Sequence, residues 1–116
     1  MHVHRIRVER DEDGAVCVLR ATGELDAFAA PDLEGAFVEV DGLAGVVVDL
    51  AAVSFLDSTA LGTLVHQVRR VQALSRPVRV VLPDGAARRI FEITTLDRVL
   101  PVAPSLADAV ADLRRR

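Results

Sequence analysis

The chain has 116 residues, 51% of them apolar, with four Phe, no Tyr, no Trp and a formal net charge of −3. That is enough for one domain with an aliphatic core and too little for two ordinary domains. It disfavours base stacking on single-stranded nucleic acid and neutralisation of a phosphate backbone.

Residues 3–8 and 15–21 are two β-rich runs, and the acidic, Gly-ended link Glu9-Arg10-Asp11-Glu12-Asp13-Gly14 reads as the loop of an N-terminal hairpin. The lone cysteine, Cys17, lies in the second run and is expected to be a small buried thiol; one Cys forms no internal disulfide, which suits a reducing compartment. The second run continues into Gly23-Glu24-Leu25-Asp26. A helix is predicted from Pro31 to Val40, with Pro31 suited to the first turn, Asp32 and Glu34 to the positive end of the dipole, and Asp41-Gly42 as the stop. Gly35 works against that helix. Val46-Val47-Val48-Asp49-Leu50 is apolar without alternation, the pattern of a strand covered on both faces. A short loop then leads to a helix predicted from Ser58 to Leu74, in which Leu61, Leu64, Val65, Val68 and Val71 form one apolar stripe. Arg76-Pro77 stops it, and Val78 to Leu82 is a further strand.

Asp84 is the expected cap of a third helix near 85–94, with Ile90 and Ile93 turned inward. A short strand near Val99–Val102 contains Pro101 and reads as an edge. Ser105 caps a last helix whose Leu106, Ala109, Val110 and Leu113 share a face, and Arg114-Arg115-Arg116 closes it at the negative end of the dipole, a more economical reading than nucleic-acid binding. The order β-β-α-β-α-β-α-β-α predicts an α/β fold: a mixed, mostly parallel sheet of four to five strands, about four helices and an N-terminal β-hairpin, in a single domain over 1–116. No apolar stretch is long enough for a membrane span, and the N-terminus has no signal-peptide core, so a soluble cytoplasmic protein without a membrane partner is expected.

Loops at the carboxyl ends of parallel strands are the usual functional edge, and both Asp26 and Ser58 follow a strand end. A serine at a helix start has its hydroxyl beside backbone N–H groups that lack intrahelical acceptors, and those groups and the dipole would stabilise a phosphate placed there. Ser58 is therefore a candidate phosphorylation site; it is also a plausible plain N-cap, and the two roles are compatible. Asp57 and Asp26 would repel a phosphate, and Thr59 is a second candidate acceptor. Asp49, near a strand end, is expected to hydrogen-bond loop N–H groups. Thr59, Thr63, His66, Gln67 and Arg70 lie opposite the apolar stripe, either as a solvated face or as a partner-binding surface, and Gly62 would let another surface come close.

Catalysis, metal and cofactor are not expected. His2 and His4 alternate on a strand but lack an obvious third ligand. His66 is eight residues beyond Ser58, about 12 Å along a helix, too far to be that serine's base. There is neither a Gly-x-Ser-x-Gly elbow nor a phosphate-binding Gly-rich Lys motif.

Two segments are recognisable: Gly23-Glu24-Leu25-Asp26 followed by Ala30-Pro31-Asp32-Leu33, and Val47-Val48-Asp49-Leu50 through Phe55-Leu56-Asp57-Ser58-Thr59-Ala60-Leu61-Gly62. Together they resemble the STAS domain of bacterial anti-sigma factor antagonists, and Arg88 through Leu100 is similar to the family's third-helix segment. The resemblance covers essentially the whole chain; Ala60 stands where the family often has Gly. It implies that Ser58 is phosphorylated by an anti-sigma factor that is itself a serine kinase, with Asp57 and Asp26 beside it. The unphosphorylated protein would bind that kinase and free a sigma factor, and a metal-dependent serine phosphatase would restore the binding state. A rival within the fold is a STAS subunit of another assembly, such as a lipid-transport complex or a signalling scaffold. A rival of another class is a small serine hydrolase, for which no accompanying base or oxyanion motif is present.

Overall fold

The computed structural model describes residues 3–10, 15–40 and 45–115. Its elements are β1 (His4–Arg10), β2 (Val16–Leu25), α1 (Ala30–Glu39), β3 (Gly45–Leu56), α2 (Ser58–Ala73), β4 (Val78–Val81), α3 (Ala86–Ile93), a single 3₁₀ turn (Leu96–Arg98), β5 (Val102–Ala103) and α4 (Leu106–Arg114). The strands form one five-stranded sheet in the order β1-β2-β3-β4-β5. β1 and β2 pair antiparallel, and every pair from β2 to β5 is parallel. The mixed sheet, four helices and N-terminal hairpin agree with the sequence reading. Asp11 to Gly14 of the hairpin loop, the Asp41-Gly42 stop, His2 and Arg116 lie outside the described residues.

Because each parallel step moves the same way across the sheet, right-handed crossovers put α1, α2 and α3 on one face. There Leu33 and Phe37 of α1, Leu64, Val68 and Val71 of α2 and Phe91 of α3 pack on Leu19, Val46, Val48 and Val80. α4 covers the other face, where Ala109 and Leu113 meet Val16, Val47 and Val81. Val46 to Leu50 are consequently buried on both sides, as their unbroken apolar run predicts. Cys17 is buried and forms no disulfide among the described residues.

Four local expectations differ from the structure. β3 does not end at Leu50 but runs on to Leu56, because residues 52–56 pair with Thr22 to Leu25 of β2. α3 is capped by Gly85 without a side-chain hydrogen bond, and Asp84 is exposed. Its buried face is Ala87 and Phe91, flanked by half-buried Ile90, so Ile93, one step further round the helix, is 75% exposed. The last strand is Val102–Ala103, since Leu96–Arg98 form the 3₁₀ turn and Pro101 contributes only its carbonyl, which accepts from Val80 N at 2.9 Å. It is an edge strand as expected. Ser105 does cap α4, accepting from Asp108 N at 3.1 Å.

Two glycines test opposite sides of the same physics. Gly23 has φ +85°, and a Cβ there would lie 2.3 Å from the carbonyl oxygen of Val3. Gly35 sits inside α1 with open space around it. Gly35→Ala is expected to stabilise the fold by roughly 0.5–1 kcal/mol. Gly23→Ala should destabilise it by more than about 1 kcal/mol, because both backbone conformation and space are wrong. Urea unfolding of the two variants checks the pair of signs.

Candidate functional site

The carboxyl ends of β2 and β3 run together beyond β4 and β5, with β1 still paired to β2 as far as Gly23. β4 pairs with β3 only over Val46 to Asp49, whereas β2 stays paired with it as far as Leu25 opposite Leu56. Along this projection β3 gains a residue on β2 twice: Arg20 and Thr22 face Asp49 and Ala52, and Gly23 and Glu24 face Val53 and Phe55. Each extra residue is a bulge that re-aims the strand, as bulges near functional sites do. The first is held by Asp49, whose Oδ1 accepts from Ala51 N at 3.0 Å while its Oδ2 lies 3.3 Å from Arg20 Nε. Asp49 is only 6% exposed. The expected structural role of this carboxylate is what the geometry shows, with an ion pair added.

Asp57, not Ser58, is the N-cap of α2. With extended backbone (φ −87°, ψ 174°), Asp57 accepts from Ala60 N at 2.9 Å through Oδ1. Its Oδ2 accepts from Ala27 N in the β2–α1 loop at 3.1 Å, and its own N–H donates to Leu25 O at 2.9 Å. One residue thus starts the helix and ties the two functional-edge loops together. Asp26, buried at 5% exposure, shapes the other loop: its Oδ1 accepts from Phe28 N at 2.9 Å and Ala29 N at 3.3 Å. The preference of Asp for caps is the signal that points to residue 57. The bond across to Ala27 leaves no trace in either segment alone.

Ser58 therefore occupies the first helical position, exposed, and its hydroxyl has no hydrogen-bond partner among the described residues. The N–H groups of Ser58 and Thr59 have no acceptor within the helix. On the outer face of α2, Thr59, Gly62 and His66 are exposed, and Thr63, Gln67 and Arg70 are half-buried. Arg70 Nε donates to Gln67 Oε1 at 3.1 Å. A Cβ added at Gly62 would meet nothing within 4 Å, so this face is open to a partner's approach. Leu61 and Val65 are partly buried against the core, as the apolar stripe predicts. The structure brings Asp26, Asp57, Ser58 and Thr59 together at one edge, with the α2 face running away from it.

His4, opposite Gly23 on β2, has its Nε2 2.7 Å from Oδ2 of Asp32 in the first turn of α1. Among the described residues no group of three His, Cys, Asp or Glu side chains could hold a metal ion. No helix among them is long and apolar enough to cross a membrane.

Residues 7–109 match the STAS domain family. The anti-sigma-B factor antagonist of Staphylococcus aureus (strain NCTC 8325 / PS 47) is 30% identical over 86 residues, which is 72% of this chain and 80% of that protein. The chain belongs to the STAS-domain family of anti-sigma factor antagonists. This is a regulatory family, not an enzymatic one. An anti-sigma factor antagonist from Mycobacterium paratuberculosis superposes with a TM-score of 0.86 at 36% identity, covering 97% of this chain and 95% of that one. The Bacillus cell fate determinant SpoIIAA in its phosphorylated form shares the fold, with a TM-score of 0.70 at 20% identity over 97% of this chain and 100% of its own. The STAS match takes in the second half of β1, all of β2, both functional-edge loops and the whole of α2.

If Asp57 is both cap and tie, its variants should rank by the oxygens they keep. Asp57→Asn retains one acceptor, and Asp57→Ala retains none. Asp57→Ala is expected to cost about 1–2 kcal/mol, within the range of lost helix caps, and Asp57→Asn less. Chemical denaturation gives the order directly; equal stability of all three proteins would remove the tie.

Proposed function

We propose that this chain is a cytoplasmic antagonist of a serine-kinase anti-sigma factor and that Ser58 is its switch. In the unphosphorylated state it binds the kinase, which then lets go of a sigma factor. The observation that carries the reading is the exposed, unengaged hydroxyl of Ser58 on the first turn of a helix whose cap is supplied by its neighbour. The names of the relatives support the same reading.

The chemistry asks little of this chain. Ser58 Oγ attacks the γ-phosphorus of ATP held by the kinase, the bond to the β-phosphate oxygen breaks, ADP leaves, and the hydroxyl proton passes to a base on the kinase. The product carries a charge of about −1.5 to −2 at neutral pH. The free N–H groups of the first turn and the helix dipole accommodate it within the chain. The fold is thus expected to persist. A docked partner instead meets new bulk and charge beside Asp57 and Asp26, so binding is lost through repulsion and desolvation. A serine phosphatase hydrolyses the ester and restores binding.

The experiment is phosphorylation by the purified anti-sigma factor kinases of the same organism, with the modified peptide located by mass spectrometry. One phosphate at Ser58, absent from Ser58→Ala, is the expected result; undiminished incorporation into Ser58→Ala would refute the assignment. Ser58→Asp should bind the kinase much more weakly than Ser58→Ala in calorimetric titration. The outer face of α2 is part of the proposed surface, through Thr63, His66, Gln67, Arg70 and the open position at Gly62. Thr63→Arg adds bulk and charge there and is expected to weaken binding about tenfold or more, roughly 1.4 kcal/mol. Arg115→Ala is the silent control.

A further inference from the structure

The four phenylalanines of this chain divide into two pairs. Phe37 and Phe91 are fully buried, one under α1 and one under α3. Phe28 is 75% exposed and Phe55 49% exposed. Both exposed rings lie on the two segments that bracket Ser58. Phe28 follows Ala27, whose N–H is bonded to Asp57, and Phe55 precedes Ser58 by three residues in the bulged end of β3. Three residues span at most about 11 Å of extended chain. A partner footprint covers about 800 Å². A partner docked over Ser58 with a footprint of that size reaches both segments that carry these rings.

Exposed aliphatic side chains elsewhere, such as Val38, Leu74 and Ile93, are ordinary surface residues. An exposed aromatic on a pinned backbone is not. Phe28 N–H is held by Asp26, and the next residue's N–H by the same carboxylate, so the segment presenting the ring is ordered before any partner arrives. Phe55 is fixed by pairing with Glu24 on β2. Pre-ordered aromatic groups lose little entropy on docking, and aromatic side chains are enriched among the few residues that dominate binding.

We infer that Phe28 and Phe55 are the apolar anchors of this protein's interface with its kinase, and that the kinase offers apolar recesses for them beside its nucleotide site. The inference rests on the proposed Ser58 switch and adds what gives the docked state its affinity. Phosphate on Ser58 then acts by spoiling a contact that the two rings make. Phe28, at 75% exposure, contributes less to the fold than Phe55, at 49%.

The test uses the full chain and, as the probe, the purified anti-sigma factor kinase that labels Ser58. Binding is measured by calorimetry for wild type, Phe28→Ala, Phe55→Ala and Ile93→Ala. Ile93 is as exposed as Phe28 but ends α3, away from the Ser58 edge, and serves as the control for lost apolar surface alone. Each Phe variant is expected to bind at least about tenfold more weakly, with Ile93→Ala unchanged and all thermal midpoints close to wild type. If an Ala variant lowers the midpoint, Phe28→Leu and Phe55→Leu take its place; they keep apolar bulk without the ring and should show an intermediate loss. Phe variants that bind like wild type, while Ser58→Asp binds weakly, would overturn the anchors and leave the switch standing. If no kinase labels Ser58, or if Ser58→Asp binds as well as wild type, the switch falls and the anchors with it.

Discussion

The parallel pairing of β2 with β3 is the interaction on which everything else in this protein hangs. It is the longest pairing in the sheet, from Val16 opposite Gly45 to Leu25 opposite Leu56. In its first half β3 is sealed between helices on one face and α4 on the other. There the backbone hydrogen bonds are shielded from water and the side chains supply the core. In its second half the same pairing keeps one face on the core, through Leu25, Val53 and Leu56, exposes the other, and carries two loops outward side by side. Rigidity at the edge is inherited from the core by continuity of one pair of strands. The bulges then turn the exposed half without breaking the pairing.

At the tip of that projection, two carboxylates divide the structural work so that a hydroxyl has none. Asp57 satisfies a helix N-terminus and a neighbouring loop, and Asp26 satisfies two N–H groups of the segment leading into α1. Had Ser58 been the cap, modifying it would have removed a helix-stabilising bond along with changing the charge. Placing the cap one residue earlier separates stability from modification. The same carboxylates also set a negative background, so a further anion meets repulsion at the surface and backbone donors beneath it.

The order of elements along the chain, the crossover helices and the doubly covered strand are legible in the sequence because they rest on periodicity; the order of strands across the sheet is not. An unbroken run such as Val46 to Leu50 has few ways to be satisfied. The projecting half of β3 was not legible as strand, since residues 51–56 are paired on one side only and show no alternation across two bulges. Asp57 and Ser58 are both good caps, so the sequence leaves the start of α2 open by one residue, and the tie from Asp57 to Ala27, 30 residues away in the chain, is visible only in the fold. In α3 the inward face was assigned by Ile93, whereas Phe91, the larger apolar group, takes the buried position. Nothing in the sequence distinguishes Phe28 and Phe55 from Phe37 and Phe91, because burial is the default state of an apolar side chain. Only the folded chain separates the core pair from the surface pair.

The change of environment along β3 also divides the protein's local stability. Residues 46–50 can lose their hydrogen bonds only by opening the core, whereas residues 51–56 lie beyond the reach of β4 and are held through β2, the two bulges and Asp57. Amide protons of the projecting half, paired on one side and covered on one face by Val53 and Leu56, should therefore exchange through a smaller opening than those of the sealed half, which exchange only through global unfolding. A single strand thus belongs to two cooperative units, and its free-energy boundary falls at Leu50, in the middle of what secondary structure counts as one element.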